Sequence, residues 1–176
     1  MDVTDSLSDT FEYLAFEVAL GRYFVLRQKE DRRLQTPLAG QHYLKAATQA
    51  LPAQGERPLR VLSSSGRKAR NTTVKIAFAA VQLAAPCERH GDYVARPLDV
   101  WVIRVWEPCP PSGEDPLEWI LLTTLTVDCH AHAQERASMS ERTLHIEEYR
   151  MGLTTARGLE LSQVSTSLAL VSVPSV

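Results

Sequence analysis

The sequence predicts a mixed chain of the α/β (α+β) class, and three observations carry that expectation. Residues 6–20 place Leu7, Phe11, Leu14 and Val18 at helical spacing. Between residues 59 and 125, short apolar stretches alternate with turn-forming residues, as in a strand meander. Residues 130–153 return to a loosely helical pattern through Met139, Leu144, Ile146, Tyr149 and Leu153.

Asp5 or Ser6 is placed to cap the first helix, and Gly21 to end it. Tyr23 to Arg27 then reads as a strand, and Gln41 to Leu51 as a short helix closing at Pro52. Leu59 to Leu62 begins the meander and meets a turn at Ser63 to Gly66. Thr73 to Leu83 alternates, with Val74, Ile76 and Phe78 on one face and Thr73, Lys75 and Ala77 on the other. A polar loop is expected from Pro86 to Pro97. Val100 to Trp106 and Leu117 to Leu125 are expected as strands rich in β-branched, leucine and aromatic residues. The tail from Leu159 carries no charge after Glu160 and fits a terminal surface helix poorly.

The chain has 176 residues, of which 44% are apolar, enough for one domain with a real core and unlike a disordered chain. No run approaches the ~20 apolar residues that cross a bilayer, and the acidic start lacks the pattern of a signal peptide. Cys87, Cys109 and Cys129 are odd in number and far apart, so a cytoplasmic location is expected and a disulfide framework is not. Charge is strongly partitioned. Residues 1–20 carry −5; residues 21–75 set twelve Lys and Arg against three acids, for +9; residues 76–176 carry −6. A basic block between acidic flanks suits a polyanion-facing surface, and equally a solvated face.

Cys129-His130-Ala131-His132 gathers metal-binding side chains, but no second pair stands at a zinc-like spacing. Ser63-Ser64-Ser65-Gly66 lacks the pattern of a P-loop, and no Gly-x-Ser-x-Gly elbow occurs.

Five segments occur in an order that resembles the catalytic domain of DDE-class bacterial transposases of the insertion-sequence-four family. Val3-Thr4-Asp5, with Asp9 and then Tyr13-Leu14, matches the strand end that bears the second catalytic Asp. Phe24-Val25-Leu26-Arg27, followed by Lys29, Arg32 and Arg33, matches a basic strand of the family. Gly66-Arg67-Lys68-Ala69-Arg70 matches the basic approach to a β-rich insertion, and Pro110-Pro111 with Leu117-Glu118-Trp119 its exit. Ile146-Glu147-Glu148-Tyr149 matches the helix that bears the catalytic Glu. A lone Asp before a helix is also what capping requires, and a Trp on an apolar strand what a core requires.

The resemblance spans roughly residues 2–155 and implies a partial ribonuclease-H-like core with an inserted antiparallel β-sheet module. Residues 1–21 would be a core remnant, 22–128 the insertion, 129–158 the Glu-bearing helix and 159–176 a divergent tail. It implies Asp5 and Glu147 as catalytic metal ligands for Mg²⁺ or Mn²⁺. Two such ions about 3.5–4 Å apart activate the attacking oxygen and stabilise the leaving one. It also implies Arg27, Lys29, Arg32, Arg33, Arg67, Lys68 and Arg70 on DNA phosphates, and Trp119 stacked on a flipped base. The partner implied is DNA, the transposon ends, with no membrane; the homodimer of the family is not expected here.

Three departures point to a truncated, degenerate member, inactive alone. The chain starts four residues before Asp5, so the strand bearing the first catalytic Asp is expected to be missing. Places that the family fills with Tyr, Arg and Lys around the Glu hold Ser140, Thr143 and Thr154. The family's dimer-forming C-terminal region is replaced by an unrelated tail. A non-catalytic β-rich nucleic-acid-binding module is the alternative reading of the same residues, and a β-sandwich interaction domain a third.

Overall fold

Alternating apolar residues in the middle of the chain make strands that are buried on both faces, and the rest of the fold is arranged around them. In a computed structural model, residues 2–4 (backbone only), 9–61, 69–86, 96–114 and 116–141 are described. Contacts divide the chain into residues 1–140 and 141–176, and the described residues lie in the first unit except for residue 141. The result is a mixed α/β fold with a mostly antiparallel sheet.

Among the described residues, eight strands run in the order β1 (Asp2–Thr4), β2 (Phe24–Arg27), β3 (Arg33–Leu38), β4 (Gln41–Tyr43), β5 (Gly55–Val61), β6 (Arg70–Leu83), β7 (Leu98–Trp106) and β8 (Glu118–Thr123). Helix α1 (Phe11–Ala19) lies between β1 and β2, and α2 (Leu44–Ala50) follows β4. A third helix, α3, occupies 130–141. Sheet order is β1-β2-β8-β7-β6-β3-β4, with β5 also on β6. The β1–β2 pair is parallel, in the register Thr4 to Leu26, and every other pair is antiparallel. The strand segments on either side of residues 21–22 therefore share one sheet.

Successive residues of a strand face opposite sides, and here both sides are covered. On one side Phe24, Leu26, Val100, Val102, Ile120 and Leu122 pack with Phe11 and Leu14 of α1 and Leu44 and Ala47 of α2. On the other, Val25, Val74, Ile76, Ile103, Val105, Trp119 and Leu121 pack with Ala133 and Ala137 of α3. Val74 and Ile76 share the face that the alternation assigns to them.

Helix α1 starts later than the sequence pattern suggests. Thr10 caps it, its side chain accepting a hydrogen bond from the Tyr13 amide (3.2 Å), so neither Asp5 nor Ser6 is the cap. Its far end turns at Gly21, whose φ of +63° suits a residue without a β-carbon. Residues 41–43, expected as helix, form β4 instead. Ala39 (φ +50°) and Gly40 (φ +74°) make a two-residue hairpin turn that pairs Leu38 with Gln41, which delays α2 to Leu44.

Gly55 shows how closely α3 approaches the sheet. A β-carbon there would lie 2.0 Å from His130 Cδ2. Gly55→Ala is therefore expected to cost about 1–3 kcal/mol through overpacking. His130→Ala should recover much of that loss in a urea double-mutant cycle; additive costs would refute the clash.

Candidate nucleic-acid interface

The loop after β2 is held by one buried carboxylate. Asp9 Oδ2 accepts hydrogen bonds from the Lys29 amide (2.6 Å) and the Glu30 amide (2.8 Å). Arg32 bonds to Asp9 Oδ1 and donates to the Asp9 carbonyl at 2.9 Å. The Asp9 side chain is fully buried and that of Arg32 is 11% exposed. Residues 29–32 are thereby fixed against the start of α1.

Beside this loop lies a cleft of about 220 Å³ lined by Arg27, Gln28, Lys29, Asp31, Lys45, Glu118, Trp119 and Ile120. Lys29 and Lys45 are exposed, and Arg27 is half-buried at the end of β2. Both acids have internal duties. Asp31 Oδ1 accepts from the Lys45 amide (2.9 Å), and Glu118 pairs with Arg104 (2.7 Å), whose guanidinium lies 4.3 Å from the Trp106 ring centroid. Gln28 Oε1 and Trp119 Nε1 are buried without a hydrogen-bond partner among the described residues. A larger cavity of about 450 Å³ takes in Arg32 and Arg33 and shares Asp31 with the first.

The residues proposed from sequence separate into three groups. Arg27, Lys29 and Trp119 line one cleft, and Arg32 and Arg33 its neighbour. Arg70 lines neither: it bonds Glu107 at 2.8 and 3.3 Å and also contacts Glu114. Asp5, Glu147, Arg67 and Lys68 lie outside the described residues. Arg32 and Arg70 thus have buried carboxylate partners, and Trp119, only 8% exposed, belongs to the second core cluster while lining the cleft. Sequence reasoning missed Lys45, whose only signal was its membership of the basic block.

The Arg70–Glu107 pair closes the start of β6 onto the end of β7. Glu107 is 4% exposed. Its backbone N–H donates to the Leu117 carbonyl at 2.8 Å. Bonding to Arg70 holds its carboxyl below the usual range, against burial, which pushes it up; Thr72 and the Leu117 amide act with Arg70. A depressed carboxyl contributes stability above its unfolded pKa of about 4.5 and loses it as pH falls through the folded value. Glu107→Gln should therefore be less stable than the parent at pH 7. The gap should narrow below about pH 4.5 in urea titrations, and a gap independent of pH would refute the linkage.

No family model matches this chain. Among the described residues, no helix is long and apolar enough to cross a membrane.

Proposed function

We propose that the chain contacts the DNA sugar-phosphate backbone through the Arg27, Lys29 and Lys45 cleft, and that it is a remnant of a DDE-class transposase catalytic domain that cuts no DNA by itself. The observation that carries this reading is the convergence of Arg27 and Lys29 on one cleft at the end of β2, with Lys45 beside them. Of the two acids in the cleft, Asp31 Oδ1 accepts from the Lys45 amide and Glu118 pairs with Arg104. Such a surface attracts phosphates with little sequence readout.

The ancestry rests on the resemblance and on topology that is compatible with it. Strand β1, helix α1 and parallel strand β2 form a crossover unit, followed by antiparallel strands and then α3. In sequence Asp5 follows β1 directly, and the chain leaves Thr4 beside Leu26, one residue before Arg27. The partial ribonuclease-H-like core belongs to this proposal, as do Mg²⁺ or Mn²⁺ at Asp5 and Glu147. Ser140, Thr143 and Thr154 offer none of the cationic and phenolic groups that the family sets around its Glu, so charge building up on phosphorus would go unstabilised.

The test is fluorescence anisotropy of a labelled duplex with the full chain across a salt series. Three cations on phosphates give a slope of log K against log salt of about −2.7, at about −0.9 per contact. Replacing Arg27, Lys29 and Lys45 together by Glu should abolish binding. Absence of salt-sensitive binding by the parent chain would end the proposal. Mg²⁺-dependent nicking lost in Asp5→Ala or Glu147→Ala would overturn its non-cleaving part alone.

A further inference from the structure

A second site, independent of the DNA reading, lies where the chain enters α3. The carboxylate of Asp128, the thiol of Cys129 and the imidazole of His132 place their ligand atoms within 4.8 Å of one another. Asp128 Oδ1 is 2.7 Å from His132 Nδ1. His130, in the same Cys129-His130-Ala131-His132 run, is not among them; its ring is packed against Gly55. We infer that Asp128, Cys129 and His132 bind a thiophilic divalent transition metal of the zinc class.

The donor set decides the class. A thiolate and an imidazole favour Zn²⁺ or Co²⁺, whereas Mg²⁺ and Ca²⁺ prefer oxygen ligands throughout. Zinc bonds of about 2.0–2.3 Å put ligand atoms roughly 3.5 Å apart, so small side-chain rotations close the observed spread. All three donors come from five consecutive residues, which keeps the entropy of closure low. A thiolate and a carboxylate bring two negative charges to the metal. These outweigh the roughly half positive charge of the α3 N-terminus, which itself favours the thiolate. Cys129 and Asp128 are exposed, so an ion reaches the site from solvent, and a fourth ligand position stays open.

The test is Co²⁺ titration of the reduced full chain, read by thiolate-to-cobalt absorption in the near ultraviolet. The expected result is a band that Zn²⁺ displaces and excess Mg²⁺ does not. Cys129→Ser should lose it, and Cys109→Ser, at the other exposed cysteine among the described residues, should keep it. His132→Ala and Asp128→Asn should each weaken Co²⁺ binding by at least about tenfold, the lower bound for losing even an outer-sphere partner. These two variants decide the matter if circular dichroism shows Cys129→Ser unfolded. Absence of the band in the parent chain would overturn the assignment. So would its survival in folded Cys129→Ser, or unchanged affinity in His132→Ala and Asp128→Asn.

Discussion

Asp9→Ala is expected to lower the unfolding free energy by about 3–5 kcal/mol, the scale of breaking a buried ion pair from one side. The carboxylate takes two backbone amides and one guanidinium, so its removal leaves the Lys29 and Glu30 N–H groups and Arg32 without that acceptor. Asp9→Asn keeps one acceptor oxygen for the amides but loses the charge, and should fall between the parent and Asp9→Ala. Urea denaturation with intrinsic tryptophan fluorescence measures all three. A loss under about 1 kcal/mol for Asp9→Ala would mean that water replaces the clamp and that the loop is not built around Asp9. The same substitution should weaken DNA binding, because the clamped segment supplies Lys29 and Asp31 to the cleft.

The central strands were legible because each alternates residues into two cores. Val74 and Ile76 in β6 show a period of two, while β8 is a continuous apolar run whose residues enter the two cores in turn. The edges were not legible, and the reason is burial. In β3 only Leu34 is buried and Pro37 interrupts the apolar pattern, while β4 is exposed throughout. Strand β1 has three residues, too few to show a period, and is fixed by parallel pairing to β2.

The site divides in the same way. Spacing could suggest a basic face, but not which cations are already partnered. The Asp9–Arg32 pair spans 23 residues of sequence and Arg70–Glu107 spans 37, distances at which local pattern carries no information. With these pairs and that of Arg22 with Glu17 formed, at least three cations of the basic block are held by carboxylates of the chain itself. The remaining positive surface around the cleft is smaller than the count of +9 suggests. In the Cys129-His130-Ala131-His132 run, the structure sets the His130 ring against Gly55 and brings Asp128 beside Cys129 and His132, a grouping that local sequence does not show.

Trp119→Ala should cost about 3–5 kcal/mol, as large aromatic truncations in packed cores do. The indole sits with Leu117, Leu121, Val127, Ala133 and Ala137, so its loss opens a cavity between β8 and α3. Trp119→Phe should cost far less, since it keeps most of the apolar volume and removes an Nε1 donor that has no partner among the described residues. Trp119→Leu separates the two roles open to this side chain. A ring that stacks on a base contributes about 1–3 kcal/mol to binding, and leucine cannot supply it. With Trp119 at 8% exposure, Trp119→Leu is expected to leave the affinity for duplex DNA unchanged and only to lower the thermal midpoint. Folded Trp119→Leu that binds DNA markedly more weakly, while Trp119→Phe binds normally, would require the indole to leave the core on binding. That outcome would support the stacking role implied by the family resemblance.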